Sequence, residues 1–283
     1  MYKDNLYSKE DVHKTYRDIH NVLITGWIIR QYSSNLVDVR KFALDKLDLS
    51  RVRHVLELGC GYGFFTEMLK GRLHDDADIT GIDIVSENHF AFVNSVQSLD
   101  YKGGFIPGEC DCIKYISESS YDLIISSYSL YFFPYLIPHI SRILKPGGLF
   151  LALTHSEHSL GEAVNLLPFI ILKEGGKKTI DSAMTRLFKK FSIEYGEELL
   201  NDHFNIIEYS QYDNTIFFPH SAIEDCMFYL ETKKNLLYKD ILHLDNATIE
   251  KVRLNFQKAI RDLSEKQGGI TLKKDDGVFH CWK

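Results

Sequence analysis

The sequence has 283 residues, of which 45% are hydrophobic and 25% charged, and its formal net charge is −6. This length suits one elaborated domain or two small ones around a sizeable core. The acidic balance disfavours a nucleic acid as the partner, because proteins that bind nucleic acids usually carry a basic excess.

Cysteine usage and hydropathy indicate the compartment. The five cysteines are scattered along the chain, which favours a reducing environment over a disulfide framework. The N-terminal segment is polar and charged, and the longest mostly apolar run, residues 163–172, is too short to cross a membrane. We therefore expect a cytoplasmic protein without a signal peptide or membrane contact. Cys110 and Cys112 form a CxC pair, but no second pair stands at zinc-site spacing, so we expect no metal.

Taken in chain order, the first 50 residues are predicted to be helical, beginning at the capping-box-like sequence SKED at 8–11. From residue 53 to 155, short apolar segments alternate with helical ones. This alternation predicts an α/β fold with a parallel sheet covered on both faces. The predicted strands are 53–59, 77–84, 121–130 and 149–155, and the predicted helices start near Phe65, cover 87–99 and run from about Tyr135 to Leu144.

The pattern changes after residue 155. A strand-like pair and a terminal strand are separated by helical stretches rich in large apolar residues, which we interpret as a lid on the rim of the sheet. The predicted organisation is an N-terminal helical cap (1–50), a ligand-binding core (51–157), a helical insert (158–201), a core strand region (202–218), a helical lid (219–268) and a final core strand (269–283).

The most informative stretch is VLELGCGYG, residues 55–63, where an apolar strand ends in Gly59, Gly61 and Gly63. Glycine packs nothing, so it is expected where the backbone turns sharply or a ligand approaches closely. In an open parallel sheet, ligands bind beyond the carboxyl ends of the strands. Asp83 stands 20 residues after Gly63, where a carboxylate can accept hydrogen bonds from a ribose diol or, alternatively, cap a helix. A nicotinamide dinucleotide is a weaker reading, because its fingerprint is G-x-G-x-x-G.

Four blocks in register, VLELGCGYG, GIDI, YDLIISS and ILKPGG, resemble those of class I S-adenosylmethionine-dependent methyltransferases. The resemblance is clear over about residues 50–155. It implies a doubly wound, mostly parallel seven-stranded sheet of the Rossmann-like type with helical lid additions. The final strand, GVFHCWK, would be antiparallel to the others. It also implies S-adenosyl-L-methionine as the cofactor and S-adenosyl-L-homocysteine as the product.

The resemblance further implies roles for individual residues. The three glycines would pack against the cofactor through their backbone, and Glu57 would help to hold its ammonium end. Asp83 would bind the ribose, with Ile84 against the adenine. The family usually has Gly-Asp-Ala after the third strand, where this chain reads Gly108-Glu109-Cys110-Asp111. Glu109 fits best at the adenine amino group, and Asp111 competes with it. The predicted cofactor-binding residues are Glu57, Gly59, Gly61, Gly63, Asp83, Ile84, Glu109, Cys110 and Ser127.

His155 and His158 follow the fifth predicted strand, and we predict them as candidate catalytic bases, the alternative being a polar loop before the next helix. Tyr7, Tyr16, Tyr128, Tyr131 and Trp27 are candidates for the pocket wall, since aromatic rings stabilise a sulfonium.

The function expected from the sequence is methyl transfer to an oxygen or nitrogen of a small-molecule metabolite, by a monomer or homodimer. The alternatives are a methyltransferase acting on RNA or protein, and a non-catalytic cofactor-binding subunit of the same fold.

Overall fold

The structure is a computed structural model that describes residues 6–177 and 179–283. The helices are α1 (Lys9–Tyr16), α2 (Ile19–Tyr32), α3 (Val39–Ala43), α4 (His89–Gln97), α5 (Ile137–Ile143), α6 (Gly161–Val164), α7 (Leu167–Lys173), α8 (Ala183–Phe188), α9 (Gly196–Asn201), α10 (Ile223–Glu231), α11 (Lys234–Leu237) and α12 (Asn246–Gln267). The strands are β1 (His54–Leu58), β2 (Asp78–Asp83), β3 (Lys102–Pro107), β4 (Tyr121–Ser127), β5 (Leu144–His155), β6 (Ile206–Tyr212), β7 (Thr215–Pro219), β8 (Gly269–Lys273) and β9 (Asp276–Trp282).

Seven strands form one sheet in the order β3-β2-β1-β4-β5-β9-β6. The first five in that order pair in parallel, whereas β9 runs antiparallel to both β5 and β6. This confirms the predicted mostly parallel seven-stranded sheet, with the C-terminal segment as the antiparallel strand.

Both faces of the sheet are covered. Val55 of β1 packs in one apolar cluster with residues of α3 and α4, and its neighbour Leu56 packs in another with residues of α5 and the later helices. Successive strand residues point to opposite faces, so burial on both sides produces the continuous apolar run that the sequence shows.

The most consequential difference from the predicted organisation concerns 202–218 and 269–283. Only β6 and β9 join the main sheet, while β7 and β8 pair with each other in a separate two-stranded sheet. Asn214 explains the bend: its N–H donates to Asp275 Oδ1 at 3.0 Å, and its carbonyl accepts from the Lys274 N–H at 2.9 Å. The two pairs therefore form one bent ribbon, and α10, α11 and α12 are inserted at its far end.

One further expectation needs correction. The helix predicted from Phe65 is only a short 3-10 segment, Thr66–Leu69, because the chain turns again near Gly71, which has φ +66°. The predicted insert 158–201 contains four short helices, the longest of seven residues. Of the predicted N-terminal cap, residues 1–5 lie outside the described residues. Among the described residues, no helix combines the length and apolar character that crossing a membrane requires.

Candidate active site

The glycine loop follows β1 directly. Gly59, Gly61 and Gly63 have φ values of +69°, +52° and +84°, a region that L side chains rarely adopt. A Cβ on Gly59 would lie 2.5 Å from the Cβ of Ser129, and one on Gly63 would lie 3.0 Å from the Cβ of Ser95. A Cβ on Gly61 would meet no atom within 4 Å. Two of the glycines thus allow close packing within the protein, whereas Gly61 borders open space.

Asp83, at the end of β2, holds this loop in place. Its Oδ2 accepts from the N–H of Gly61 at 2.8 Å, and its Oδ1 accepts from the N–H of Val85 at 2.8 Å. The residue is 8% exposed, and burial raises its pKa although these two hydrogen bonds act in the opposite direction. Oδ1 also accepts from Asn88 Nδ2 at 3.5 Å, whereas Oδ2 has Gly61 as its donor and can accept a further hydrogen bond.

Glu57 lies beneath the same loop and is 2% exposed. It accepts a hydrogen bond from the hydroxyl of Thr66. Burial raises the pKa of Glu57 to about 8; the Thr66 hydrogen bond opposes this shift and the charge of Asp83 adds to it. A buried carboxyl of this kind gains from a nearby cation. This environment is compatible with the predicted contact to an ammonium group, which stays a prediction.

The two candidate acids in the segment after β3, Glu109 and Asp111, have different partners. Glu109 Oε2 lies 2.8 Å from Lys9 Nζ on α1. Asp111 accepts from the Tyr135 hydroxyl at 2.6 Å and pairs with Lys114. Between them Cys110 is buried, and burial, reinforced by the charge of Asp83, raises its pKa well above the ordinary range. Asp111 is therefore held by surface partners of its own, and Cys110 is the member of this segment adjacent to Asp83.

Helix α1 lies across the ends of the first three strands. Lys9 reaches Glu109 after β3, and His13 Nε2 lies 2.9 Å from Glu87 after β2. The hydroxyl of Tyr62, in the glycine loop, donates to the carbonyl of Tyr16 at 3.0 Å. The first helix thus covers the predicted cofactor position, in keeping with the N-terminal helical cap that the sequence predicts, whereas these individual contacts were not predicted.

A second group of polar residues surrounds His155 at the end of β5. His155 Nδ1 lies 2.6 Å from Asp276 Oδ1, and Tyr128 donates its hydroxyl proton to Asp276 Oδ2 at 2.7 Å. Lys274 Nζ donates to both oxygens of Asp276 at 3.0 Å. Burial lowers the pKa of His155 to about 4, with the charge of Lys274 adding to this effect and that of Asp276 opposing it. The imidazole is therefore neutral at neutral pH. Nδ1 also lies 3.2 Å from Lys274 Nζ, but the carboxylate oxygen is nearer at 2.6 Å and can only accept, so we assign the ring proton to Nδ1.

Aromatic rings enclose this histidine. Its ring stacks on Tyr128 at 4.4 Å between centroids and meets the edge of Phe188 at 4.9 Å. Tyr131 stacks beside it at 6.1 Å. Burial raises the pKa of Tyr16 to about 12, and its hydrogen bond with Tyr131 opposes this shift. Because the Tyr16 carbonyl also accepts from Tyr62 in the glycine loop, Tyr16 connects that loop with the histidine cluster.

Two predicted residues lie elsewhere. Trp27 is 53% exposed on α2, so it does not belong to this aromatic wall. The side chain of His158 is 72% exposed and lies 3.9 Å from Glu157. Tyr7 is buried, and its hydroxyl donates to the carbonyl of Leu236 at 2.7 Å, which anchors the chain before α1 to the late helices. Of the two histidines, the structure brings only His155 into the buried cluster.

Sequence reasoning missed Lys274 and Asp276. They lie in KKDDG, which has the composition of a turn, and more than a hundred residues separate them from His155. The only indication in the sequence was that both residues come just before the predicted terminal strand. Among the described residues, the structure shows no group of three or more His, Cys, Asp and Glu side chains placed to hold a metal ion.

Comparison with known proteins agrees with this geometry. Residues 55–148 match the model of a family described as a methyltransferase domain. Malonyl-[acyl-carrier protein] O-methyltransferase 2 of Ilyobacter polytropus is 26% identical over 177 residues, which cover 60% of this chain and 63% of that protein. The match thus spans less than two thirds of the relative.

Among solved structures, the YcgJ protein of Bacillus subtilis has a TM-score of 0.54 and 13% identity, covering 86% of this chain and 97% of that one. Phosphoethanolamine N-methyltransferase 2 of Haemonchus contortus, solved with S-adenosylhomocysteine, has a TM-score of 0.51 and 14% identity, covering 98% of this chain and 60% of that one. The Rossmann-like methyltransferase fold is therefore confirmed. Residues 55–148 therefore form a methyltransferase domain, and the predicted resemblance to class I S-adenosylmethionine-dependent methyltransferases is confirmed for this domain.

Proposed function

We propose that this protein transfers the methyl group of S-adenosylmethionine to an oxygen or nitrogen atom of a small molecule. The observation that carries the proposal is the glycine loop with its three positive φ angles, held by Asp83 at the end of the neighbouring strand. This loop corresponds to the cofactor-binding loop of the family, and the protein also has a second, buried group of polar side chains around His155.

The residues beside the loop fit the cofactor. Gly61 borders open space that a side chain would fill, which is the property expected of backbone that packs against a ligand. Asp83 offers a carboxylate to a ribose diol. The buried Glu57 has a pKa of about 8, which an ammonium group beside it would lower, so Glu57 would ionise when it pairs with that group. We assign Gly61, Asp83 and Glu57 to cofactor binding on these grounds.

S-adenosylmethionine, when bound, supplies a methyl group activated by a sulfonium. The protein contributes alignment and a site from which water is excluded. We assign His155 as the group that accepts the acceptor's proton. Since its Nδ1 donates to Asp276, its unprotonated nitrogen is Nε2, and its low pKa keeps it neutral over the physiological range. Asp276 and Tyr128 are positioning residues, because they act on the acceptor only through the imidazole.

The buried cluster favours a small acceptor. His155 lies under Phe188 of α8, and Tyr7 ties the start of the chain to the late helices. The relative from Ilyobacter polytropus is named as an O-methyltransferase of malonyl-[acyl-carrier protein], which supports an oxygen acceptor but one that is carried by a protein. A site enclosed in this way admits a compact molecule more readily than a folded macromolecule.

Calorimetric titration with S-adenosylhomocysteine tests the proposal, with NAD as the competing ligand. We expect binding of S-adenosylhomocysteine and its loss in Gly61→Val, since the branched side chain would occupy the open space. Gly71→Val is the matched control, because Gly71 also has a positive φ of +66° and would also place its Cβ in open space, but outside the loop. Both variants carry backbone strain of roughly 1–2 kcal/mol, so a difference in binding reports on the loop alone.

The activity is then measured as the formation of S-adenosylhomocysteine from S-adenosylmethionine with carboxylic acids, phenols and amines as acceptors. Binding of NAD without binding of S-adenosylhomocysteine would refute the proposal, and so would a Gly61→Val protein that binds as tightly as the parent.

A further inference from the structure

Tyr229, on α10, carries a polar group that the fold does not use. The residue is fully buried, with 0% exposure, and its hydroxyl has no hydrogen-bond partner in the part of the chain that the structure describes. Burial raises the pKa of Tyr229, and the charge of Asp276 adds to this shift. Helix α11, which follows α10, packs against α8, whose Phe188 meets the edge of His155, so this part of the chain neighbours the His155 cluster. A buried hydroxyl without an acceptor costs about 1–3 kcal/mol, which is a reason to look for an external partner.

Lys233, just after α10, is in the same situation. Its Nζ lies over the ring of Tyr229, 3.9 Å from the centroid. Within residues 6–177 and 179–283 it forms no ion pair, because the neighbouring Glu231 is taken by Arg253 at 2.7 Å and by Lys234 at 3.5 Å. Burial lowers the pKa of Lys233 to about 7, and the charge of Lys274 adds to this shift. The face of a tyrosine ring compensates an ammonium only partly.

The charges of the whole cluster do not cancel. Lys274 is paired with Asp276, and His155 is neutral at neutral pH, so these three residues together carry no net charge. A pKa of about 7 leaves Lys233 partly protonated at neutral pH, and no carboxylate of the cluster balances its ammonium form, which a bound anion would favour. A buried site with one surplus positive charge favours a ligand with one negative charge.

The two unused groups can reach one ligand together. Because Nζ lies 3.9 Å from the ring centroid, it is within roughly 7 Å of the hydroxyl oxygen of the same ring, a gap that one carboxylate with two hydrogen bonds spans.

We propose that Lys233 and Tyr229 bind a carboxylate of the methyl acceptor, with the Lys233 ammonium pairing with one oxygen and the Tyr229 hydroxyl donating to the other. This inference rests on the proposed function and names the class of substrate, a small carboxylate monoanion. The carboxylate is a recognition group, and the atom that is methylated is the one beside His155. A phosphate monoester carries close to two negative charges and is disfavoured by the single surplus positive charge.

The test is a calorimetric titration of the protein saturated with S-adenosylhomocysteine. The probes are hexanoate, the uncharged hexanamide of the same length, and hexyl phosphate. We expect hexanoate to bind at least tenfold more tightly than hexanamide and more tightly than hexyl phosphate. Lys233→Met should weaken hexanoate at least tenfold, and Tyr229→Phe about three- to tenfold. The matched control is Lys234→Met, since Lys234 is the adjacent lysine but is exposed and paired with Glu231.

Thermal stability separates this role from a structural one. Tyr229→Phe removes a hydroxyl that the fold leaves without a partner, so it should keep or raise the melting temperature while it weakens hexanoate. A merely structural hydroxyl would give the opposite result.

Each other outcome has one meaning. If S-adenosylhomocysteine does not bind, the proposed function fails before the anion is tested. If it binds, three results overturn the inference: no preference for hexanoate over hexanamide, unchanged hexanoate affinity in Lys233→Met, or tighter binding of hexyl phosphate.

Discussion

Replacing Asp83 by asparagine tests the cofactor site most directly. Asp83→Asn keeps the size of the side chain but removes its charge and one of its two acceptor oxygens. Asp83→Ala would be less informative, because the N–H groups of Gly61 and Val85, each at 2.8 Å from a carboxylate oxygen, would both lose their acceptors. The asparagine amide still accepts from one of them.

The expected magnitudes differ for binding and for folding. A charge-assisted contact to a ribose diol is worth about 1.5–3 kcal/mol, so affinity for S-adenosylhomocysteine should fall roughly ten- to a hundredfold. In the free protein, one N–H left without an acceptor costs about 1–3 kcal/mol. Removal of a buried charge offsets part of this cost, because burial already raises the pKa of Asp83. The free energy of unfolding should therefore change much less than the binding free energy.

The assay is a double-mutant cycle with S-adenosylhomocysteine and its 2′-deoxy analogue, measured by calorimetry. The wild type should lose affinity for the deoxy analogue, and Asp83→Asn should bind both ligands equally weakly. Asp78→Asn is the control, since Asp78 starts the same strand on an exposed position. A folded Asp83→Asn protein with unchanged affinity, or one that still distinguishes the two ligands fully, would refute the assignment to the ribose.

Two further predictions concern His155 and α1. Burial lowers the pKa of His155 from 6.5 to about 4, so between these pH values the unfolded chain binds a proton that the folded chain does not. The free energy of unfolding should therefore fall by up to about 3 kcal/mol as the pH decreases from 6.5 to 4. Denaturant titrations of His155→Gln should lack this part of the pH dependence. The contacts of α1 to Glu109 and Glu87 are exposed ion pairs worth about 0.2–1 kcal/mol each, so they hold the helix only weakly. We expect S-adenosylhomocysteine to slow hydrogen exchange in α1 and in residues 158–201 and 219–268. Equally strong protection with and without the ligand would show a rigid cap instead.

The proximity of the glycine loop to Asp83 was predictable because these residues are close in sequence to the strands that position them. The glycines follow β1 directly, and Asp83 is the last residue of β2, which pairs with β1 in parallel. Adjacent parallel strands bring their carboxyl ends to one edge, so two local patterns at the ends of successive strands specify one site. No comparable rule predicts which aromatic residues of the helices face the site. Tyr16 and Trp27 both follow a helical period, yet only the packing of α1 and α2 decides that Tyr16 enters the cluster and Trp27 does not.

The acceptor half depends on a contact that no local pattern reports. Asp276 pairs with His155 in the register of β9 against β5, at the last rung of an antiparallel ladder between segments far apart in sequence. Lys274 reaches the same place because the ribbon bends where Asn214 hydrogen-bonds to Asp275 and to the backbone of Lys274. A one-residue change of register would turn Asp276 to the opposite face of the sheet. The candidate base is therefore oriented by the way the C-terminal strand pairs, and its partner could be identified only once that pairing was known.

The same bend separates the residues proposed to bind the acceptor from those proposed to bind the cofactor. The helices α10, α11 and α12 are inserted between β7 and β8, beyond the point where the ribbon leaves the main sheet. Tyr229 and Lys233 belong to this insertion, whereas Gly61 and Asp83 belong to the parallel strands. Changes in the insertion can therefore alter which acceptor is recognised without disturbing the ladder that holds the cofactor loop, because the hydrogen bonds of Asn214 fix the ribbon at the bend itself.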